Sequence, residues 1–261
     1  MILAGTSVGV GPPVVLLHGL LGQGRNLGFV QRRLGMGRLG MGRRAIALDL
    51  RNHGGSPHGP GMTYGAMAGD VIATLGAMAA LPCAFIGHSM GGKVAMAAAL
   101  TAPEAVTRVM VAEIAPAPSD SRFGAIIAAM RGLRLDAGLT RAVADAALAE
   151  VVEEAGVRGF LLQNLRFGAM PEWRVGLEEI AAGLADVLDW PDFAATYGGP
   201  TLFLGGARSD YIRPEHRAVI RGLFPRARMA ILRDAGHWLH ADNPEGFVAV
   251  TEAFLGSSAI A

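Results

Sequence analysis

Hydrophobic positions along this chain fall into two patterns that alternate. Short continuous runs of β-branched and aliphatic residues occur at Val14–Leu17, Ala45–Leu48, Cys83–Ile86, Arg108–Ile114, Thr201–Leu204 and Arg228–Leu232. Each is four to seven residues long and apolar on both faces, as expected of a buried parallel strand. Between them lie stretches of helical period: Asn26–Leu34, Gly65–Leu81, Lys93–Thr101, Pro214–Phe224 and Pro244–Leu255. Strand alternating with helix predicts an α/β fold with a mostly parallel central sheet flanked by helices. The alternation breaks once. Beyond Pro116 and Pro118 the period is helical from Ser119 to about Trp190, with helices expected at Arg122–Leu133, Arg141–Ala155, Val157–Phe167 and Trp173–Leu188 and no clear strand. The expected division is a core of residues 1–118 and 191–261 carrying a helical cap of residues 119–190 over one end of the sheet. Met130, Phe160, Phe167 and Met170 are the apolar candidates for its pocket-facing side.

The stretch Gly87-His88-Ser89-Met90-Gly91 sits between a predicted buried strand and an Ala-rich helix. It fits G-x-S-x-G, in which a serine on a tight strand-to-helix turn projects its hydroxyl above the sheet and the glycines leave room for the turn. The helix behind it aims its positive end at the serine, where an oxyanion is favoured. Ser89 is therefore the candidate nucleophile. His18-Gly19-Leu20-Leu21-Gly22 follows the first buried strand and can present the Leu20 amide beside the nucleophile. With the Met90 amide it forms the expected oxyanion hole. His18 itself reads as a brace for that loop. Arg51, Asn52 and His53, in the polar loop after the next strand, either touch substrate or bond neighbouring loops.

A nucleophilic serine needs a base and a group to orient the base. Among seven histidines, His237 in Asp234-Ala235-Gly236-His237-Trp238 lies after the last strand, at the same sheet end as Ser89. Two carboxylates compete to orient it. Asp210 lies in the loop after the penultimate strand and gives the chain order Ser…acid…His. Glu113 ends the strand that follows the nucleophile's helix and is the alternative acid.

The remaining features narrow the function class. With 261 residues, 51% hydrophobic and 17% charged, the chain can bury one large core. A formal charge of +1 spread over scattered Lys and Arg gives no electrostatic case for nucleic acid or an anionic membrane. The single Cys83 excludes an internal disulfide. No signal peptide and no membrane span are read, so a cytoplasmic location is expected. Histidine spacing shows no metal motif, and neither metal nor organic cofactor is expected. Leu34-Gly35-Met36-Gly37-Arg38 is followed by its perfect copy Leu39-Gly40-Met41-Gly42-Arg43, too short for a solenoid and read as a duplicated surface loop.

Taken together, His18-Gly19, Arg51-Asn52-His53-Gly54, Gly87-His88-Ser89-Met90-Gly91-Gly92-Lys93, Ile114-Ala115-Pro116 and Gly236-His237-Trp238-Leu239-His240-Ala241 resemble the α/β-hydrolases, and in detail the YbfF-type esterases. The resemblance runs from about Val14 to Leu255. It implies the α/β-hydrolase fold, a core of the eight-stranded type lacking its first strands, a helical cap, and hydrolysis of carboxylic esters or thioesters. Members of that group often carry Asp before Ile-Ala-Pro, in some as the triad acid; here that position is Glu113, one methylene longer. The expected reaction proceeds through an acyl-enzyme on Ser89 with a small-molecule ester or thioester. C–C bond hydrolysis, lactone opening, perhydrolysis, or ligand reception with little turnover are the alternatives on the same fold.

Overall fold

The computed structural model describes residues 1–37, 42–119 and 123–257. Among these, seven strands form one sheet. They are β1 (Gly5–Val8), β2 (Pro13–Leu17), β3 (Arg44–Leu48), β4 (Cys83–His88), β5 (Val106–Ala112) and, beyond a short hairpin in the inserted segment, β8 (Thr201–Gly206) and β9 (Ala227–Leu232). Their spatial order is β1-β3-β2-β4-β5-β8-β9. From β3 to β9 every neighbouring pair is parallel. Their carboxyl ends therefore share one edge, and the loops leaving β2, β3, β4, β5, β8 and β9 gather there. This is where open parallel sheets place their ligands.

The inner strands of the sheet are covered on both faces because they are apolar on both. Val14, Leu16, Ala45, Ala47 and Ile86 face one core, shared with α1 (Gly28–Met36) and α11 (Pro244–Gly256). Val15, Leu17, Ile46, Leu48 and Phe85 face the other, shared with α2 (Tyr64–Ala77) and α3 (Met90–Thr101). Two short helices, α9 (Arg217–Leu223) and α10 (Leu239–Asp242), add Ile220 to the second core and Leu239 to the first. Alternate residues of one strand thus serve two cores, which removes the polar/apolar alternation of a half-exposed sheet. Helix α3 is buried from Met90 to Leu100. Its run of alanines lets it lie close to the sheet, and this fixes the turn from which it springs.

Three expectations need correction. Gly5–Val8 adds an antiparallel edge strand on β3, pairing Gly5 with Leu48 and Val8 with Ala45, so the sheet begins before Val14. Asn26–Leu34 is not one helix: Gly24–Leu27 is a 3₁₀ turn and α1 continues to Met36. The inserted segment is not wholly helical. It contains α4 (Phe123–Gly132), α5 (Arg141–Ala149), α6 (Ala155–Leu162), α7 (Leu177–Ala182) and α8 (Leu184–Leu188), but a hairpin of β6 (Leu165–Arg166) and β7 (Glu172–Trp173) separates α6 from α7. Gly168 at φ 152° and Pro171, which has no N–H to give a helix, punctuate the apolar period there. Residues 38–41 of the tandem copy lie outside the described residues. No helix among the described residues is long and apolar enough to cross a membrane.

Candidate active site

Strand β4, buried along its whole length, delivers the chain to Ser89 at φ 52° and ψ −121°, and α3 begins at the next residue. Such a conformation costs a non-glycine residue about 1–3 kcal/mol and persists only where its surroundings hold it. Here they do. The Ser89 N–H donates to the Ala112 carbonyl at 2.8 Å, and the Ser89 carbonyl accepts from Gly92 N–H at 2.7 Å and Lys93 N–H at 3.2 Å. The flanking glycines are steric requirements: a Cβ on Gly87 would collide with the Gly91 carbonyl, and one on Gly91 with the Leu17 and His18 carbonyls. Ser89 is 7% exposed and opens into a pocket it shares with Leu20, Met90, Lys93, Ile114 and Tyr211.

Two buried histidines hold the loop carrying Leu20. His18 Nε2 accepts from Leu50 N–H at 2.9 Å while its Nδ1–H donates to Gly19 O at 2.8 Å. His53 Nε2 accepts from Leu21 N–H at 3.0 Å while its Nδ1–H donates to Arg51 O at 2.7 Å. Each ring must be neutral to accept at Nε2, and burial ensures this, pushing the His18 pKa down to about 4 and that of His53 to about 3. Among the described residues no protein acceptor takes the N–H of Leu20 or of Met90. Both amides remain available to a ligand beside Ser89.

His237 stands in the loop after β9. Its backbone carbonyl accepts from His88 Nε2–H at 2.7 Å, and the two rings lie 4.9 Å apart. His88 immediately precedes Ser89, so this bond ties the histidine loop to the serine turn. Burial keeps the His88 pKa well below its ordinary value, with the neighbouring His240 and His237 acting in the same direction. The Tyr211 ring packs on the His237 ring at 4.0 Å between centroids, and Tyr211 lines the same pocket as Ser89.

The carboxylate beside the imidazole is that of Glu113. Its Oε2 lies 3.6 Å from His237 Nδ1. Glu113 is 1% exposed; Oε1 accepts from Gly206 N–H and Oε2 from the Ser209 hydroxyl, both through short bonds. Asp210 is exposed, and no hydrogen bond or ion pair joins it to His237 among the described residues. The carboxylate that lies beside the imidazole is thus Glu113 and not the Asp210 expected from chain order. Glu113 leaves β5 at φ 58°, which turns its side chain across the sheet end toward the loop after β8. Asp210, four residues beyond the end of β8, is exposed, and it is the next residue, Tyr211, that packs on the imidazole. The readable signal was the position itself, directly before Ile114-Ala115-Pro116. Ser209 and His88 carried no signal of their own.

The inserted segment closes the pocket with Ser119, Phe123, Val187 and Leu188. Lys93, 1% exposed, donates from Nζ to Ser119 Oγ at 3.0 Å and to the Asp189 and Leu188 carbonyls at 2.9 and 3.5 Å, above the Tyr64 ring. Burial lowers its pKa to about 8. The Tyr64 hydroxyl donates to Val187 O at 2.5 Å. The first crossing into the insert is thereby tied to α3, and the second to both α2 and α3. Of the four apolar residues expected to face the pocket, Met170 is 84% exposed and Phe160 packs on Trp238 at 4.4 Å between ring centroids. Among the described residues no cluster of three or more His, Cys, Asp or Glu is arranged to hold a metal ion.

Known proteins similar to this chain include esterases and lipases. The sn-1-specific diacylglycerol lipase ABHD11 of Mus musculus is 40% identical over 251 residues, 94% of this chain and 81% of that protein. Esterase YbfF of Escherichia coli K12 is 34% identical over 244 residues, 93% of this chain and 92% of that protein. The solved structure of a marine microorganism esterase matches with a TM-score of 0.90 at 31% identity, covering 97% of this chain and 99% of that one. Residues 14–250 match the model of the alpha/beta hydrolase family, and the chain belongs to that family as an enzyme of the hydrolase class.

Proposed function

We propose that this chain cleaves carboxylic esters or thioesters through an acyl-enzyme. Ser89 attacks the acyl carbon, and its proton passes to His237. The electron pair of the carbonyl moves to the oxygen, which the Leu20 and Met90 amides receive. His237 returns the proton to the departing alkoxide or thiolate, and water repeats the sequence to release the acid. Glu113 is the acid that holds the imidazole with Nδ1 protonated, in place of the Asp210 expected from chain order. Residues 119–190 act as the cap whose inner residues meet the acyl chain.

The observation that carries this reading is the strained Ser89 turn at the head of a twelve-residue helix, bonded through His88 to a histidine with a buried carboxylate at 3.6 Å. A positive φ at a non-glycine residue is a cost that ordinary strand–helix corners avoid. The names of the relatives, esterase and diacylglycerol lipase, support an ester substrate, and the apolar pocket lining suits an acyl group. The test is labelling by a fluorophosphonate together with hydrolysis of p-nitrophenyl esters of graded chain length. The protein is expected to take one equivalent of label at Ser89, and Ser89→Ala to take none and to lose hydrolysis. Hydrolysis near the parent rate in the folded Ser89→Ala protein would overturn the assignment.

A further inference from the structure

The loop that presents the Leu20 amide is held from two sides, and one of them is the insert. Leu21, at φ 60° and fully buried, has its N–H bonded to His53 Nε2. Its carbonyl accepts from Asn164 Nδ2 at 2.7 Å. Asn164 lies between α6 and β6, 143 residues away in sequence, and is 0% exposed. Its orientation is itself fixed. Oδ1 accepts from Gln23 Nε2 at 2.6 Å, so the amide group is assigned by its partners, and the backbone carbonyl accepts from Arg174 N–H at 2.7 Å across the hairpin. A buried carbonyl and a buried amide that partner each other form a rigid joint, because parting them leaves both polar groups short of a partner.

We infer that Asn164 is a positioning residue for the oxyanion hole: by holding the Leu21 carbonyl, the insert sets the direction of the neighbouring Leu20 N–H. Asn164 grips the carbonyl of the Leu21–Gly22 peptide, and the Leu20 N–H belongs to the Gly19–Leu20 peptide two planes back, with only the Leu20–Leu21 peptide between them. With Leu21 already in the left-handed region, release of its carbonyl lets Leu21 turn toward an ordinary conformation, and the Gly19–Leu20 peptide that carries the donor moves with the loop. The donor then points away from the developing charge, where its value lies in being preset. The insert thus does more than cover the pocket; its seating on the loop completes the site. This inference rests on the serine-hydrolase reading above.

The test uses the full chain and two ketones built on the same acyl group. A trifluoromethyl ketone takes the Ser89 oxygen at its carbonyl carbon, the serine proton going to His237 and the electron pair to the ketone oxygen in the oxyanion hole. The matching methyl ketone binds without forming that adduct. Asn164→Leu, close in shape and without donors, and Asn164→Ala are expected to lower kcat on p-nitrophenyl butyrate about 10- to 100-fold, the scale of a misplaced catalytic group. KM is expected to stay within about threefold, the trifluoromethyl ketone to weaken by the same factor as kcat, and the methyl ketone to be unchanged. Gln23→Leu leaves Asn164 in place but frees its amide; it is expected to give the same signature with a smaller loss, and it decides the question if neither Asn164 variant folds. A kcat within threefold of the parent, or equal weakening of both ketones, would overturn the inference. If the parent itself takes no fluorophosphonate at Ser89, the hydrolase reading fails instead.

Discussion

Replacing Glu113 by Gln isolates what the buried carboxylate contributes. In the parent, Oε2 lies 3.6 Å from His237 Nδ1. When His237 accepts the serine proton, that pair attracts by about 4–5 kcal/mol at an effective dielectric of about 20. Loss of this interaction alone corresponds to about a thousandfold in rate. The amide adds a second penalty. The Gly206 N–H requires an acceptor, so the oxygen of the introduced amide must face Gly206 and its NH₂ must face Ser209 and the imidazole. An NH₂ opposite Nδ1 selects the tautomer protonated at Nε2, which cannot take a proton from Ser89. Substituting the acid of a serine triad by its amide costs about ten-thousandfold elsewhere for this reason. Glu113→Gln is therefore expected to lower kcat on p-nitrophenyl butyrate by about 10³ to 10⁴, and Asp210→Asn by less than about threefold. Steady-state kinetics on both purified variants, with circular dichroism and thermal melting to verify folding, makes the comparison. A large loss in Asp210→Asn beside near-parent activity in Glu113→Gln would refute the reasoning and return the acid to the loop after β8.

Three further expectations concern the frame around the site. His18, His53 and His240, with pKa values held near 4, 3 and 4 by burial, bind fewer protons folded than unfolded between about pH 4 and 6.5. They therefore leave stability flat above pH 7 and reduce it as pH falls through 6.5, by about 4 kcal/mol per unit near pH 5 for the three together; urea midpoints from pH 7.5 to 5 that do not move would contradict this. Gly91→Ala places a methyl hard against the backbone carbonyls of Leu17 and His18, whereas at Gly92 its tight contacts are the Ile114 and Val111 side chains, with the Gly87 carbonyl at 3.2 Å. Denaturant unfolding should show Gly91→Ala losing more than about 2 kcal/mol and the larger share of the two, since side chains yield where backbone does not. Lys93→Met removes the donor that ties Ser119 and Asp189 to α3, and is expected to flatten the chain-length preference over a series of p-nitrophenyl esters, with Lys93→Arg retaining more of it; an unchanged profile in the Met variant would show that the tie does not govern substrate choice.

Local chemistry carries most of what could be read along the chain. The turn at Ser89 was legible because its requirements are met within a few residues: an apolar strand, glycines where a Cβ would strike backbone, and a helix beginning at once. The location of His237 followed from alternation, since parallel strands bring successive loops to one edge. The inner strands were legible as continuous apolar runs. Their counterpart β1, GTSV, is mostly exposed and carries no such run, so its pairing with β3 is visible only once β3 is placed.

What the tertiary structure decided are matters of direction and of distant partners. Glu113 and Asp210 are both carboxylates at the same end of the sheet, and spacing along the chain does not measure which one faces the imidazole. The φ of 58° at Glu113, and the Gly206 and Ser209 donors that reach it from 93 and 96 residues away, select it. Asn164 lies within an apolar helical period and offers no local sign of its bond to Leu21. Sequence determines an element through interactions a few residues apart, which repeat with a period. The orientation of one buried polar side chain depends on which donor meets it from across the fold, and that is set only when the sheet, the insert and their loops close on one another.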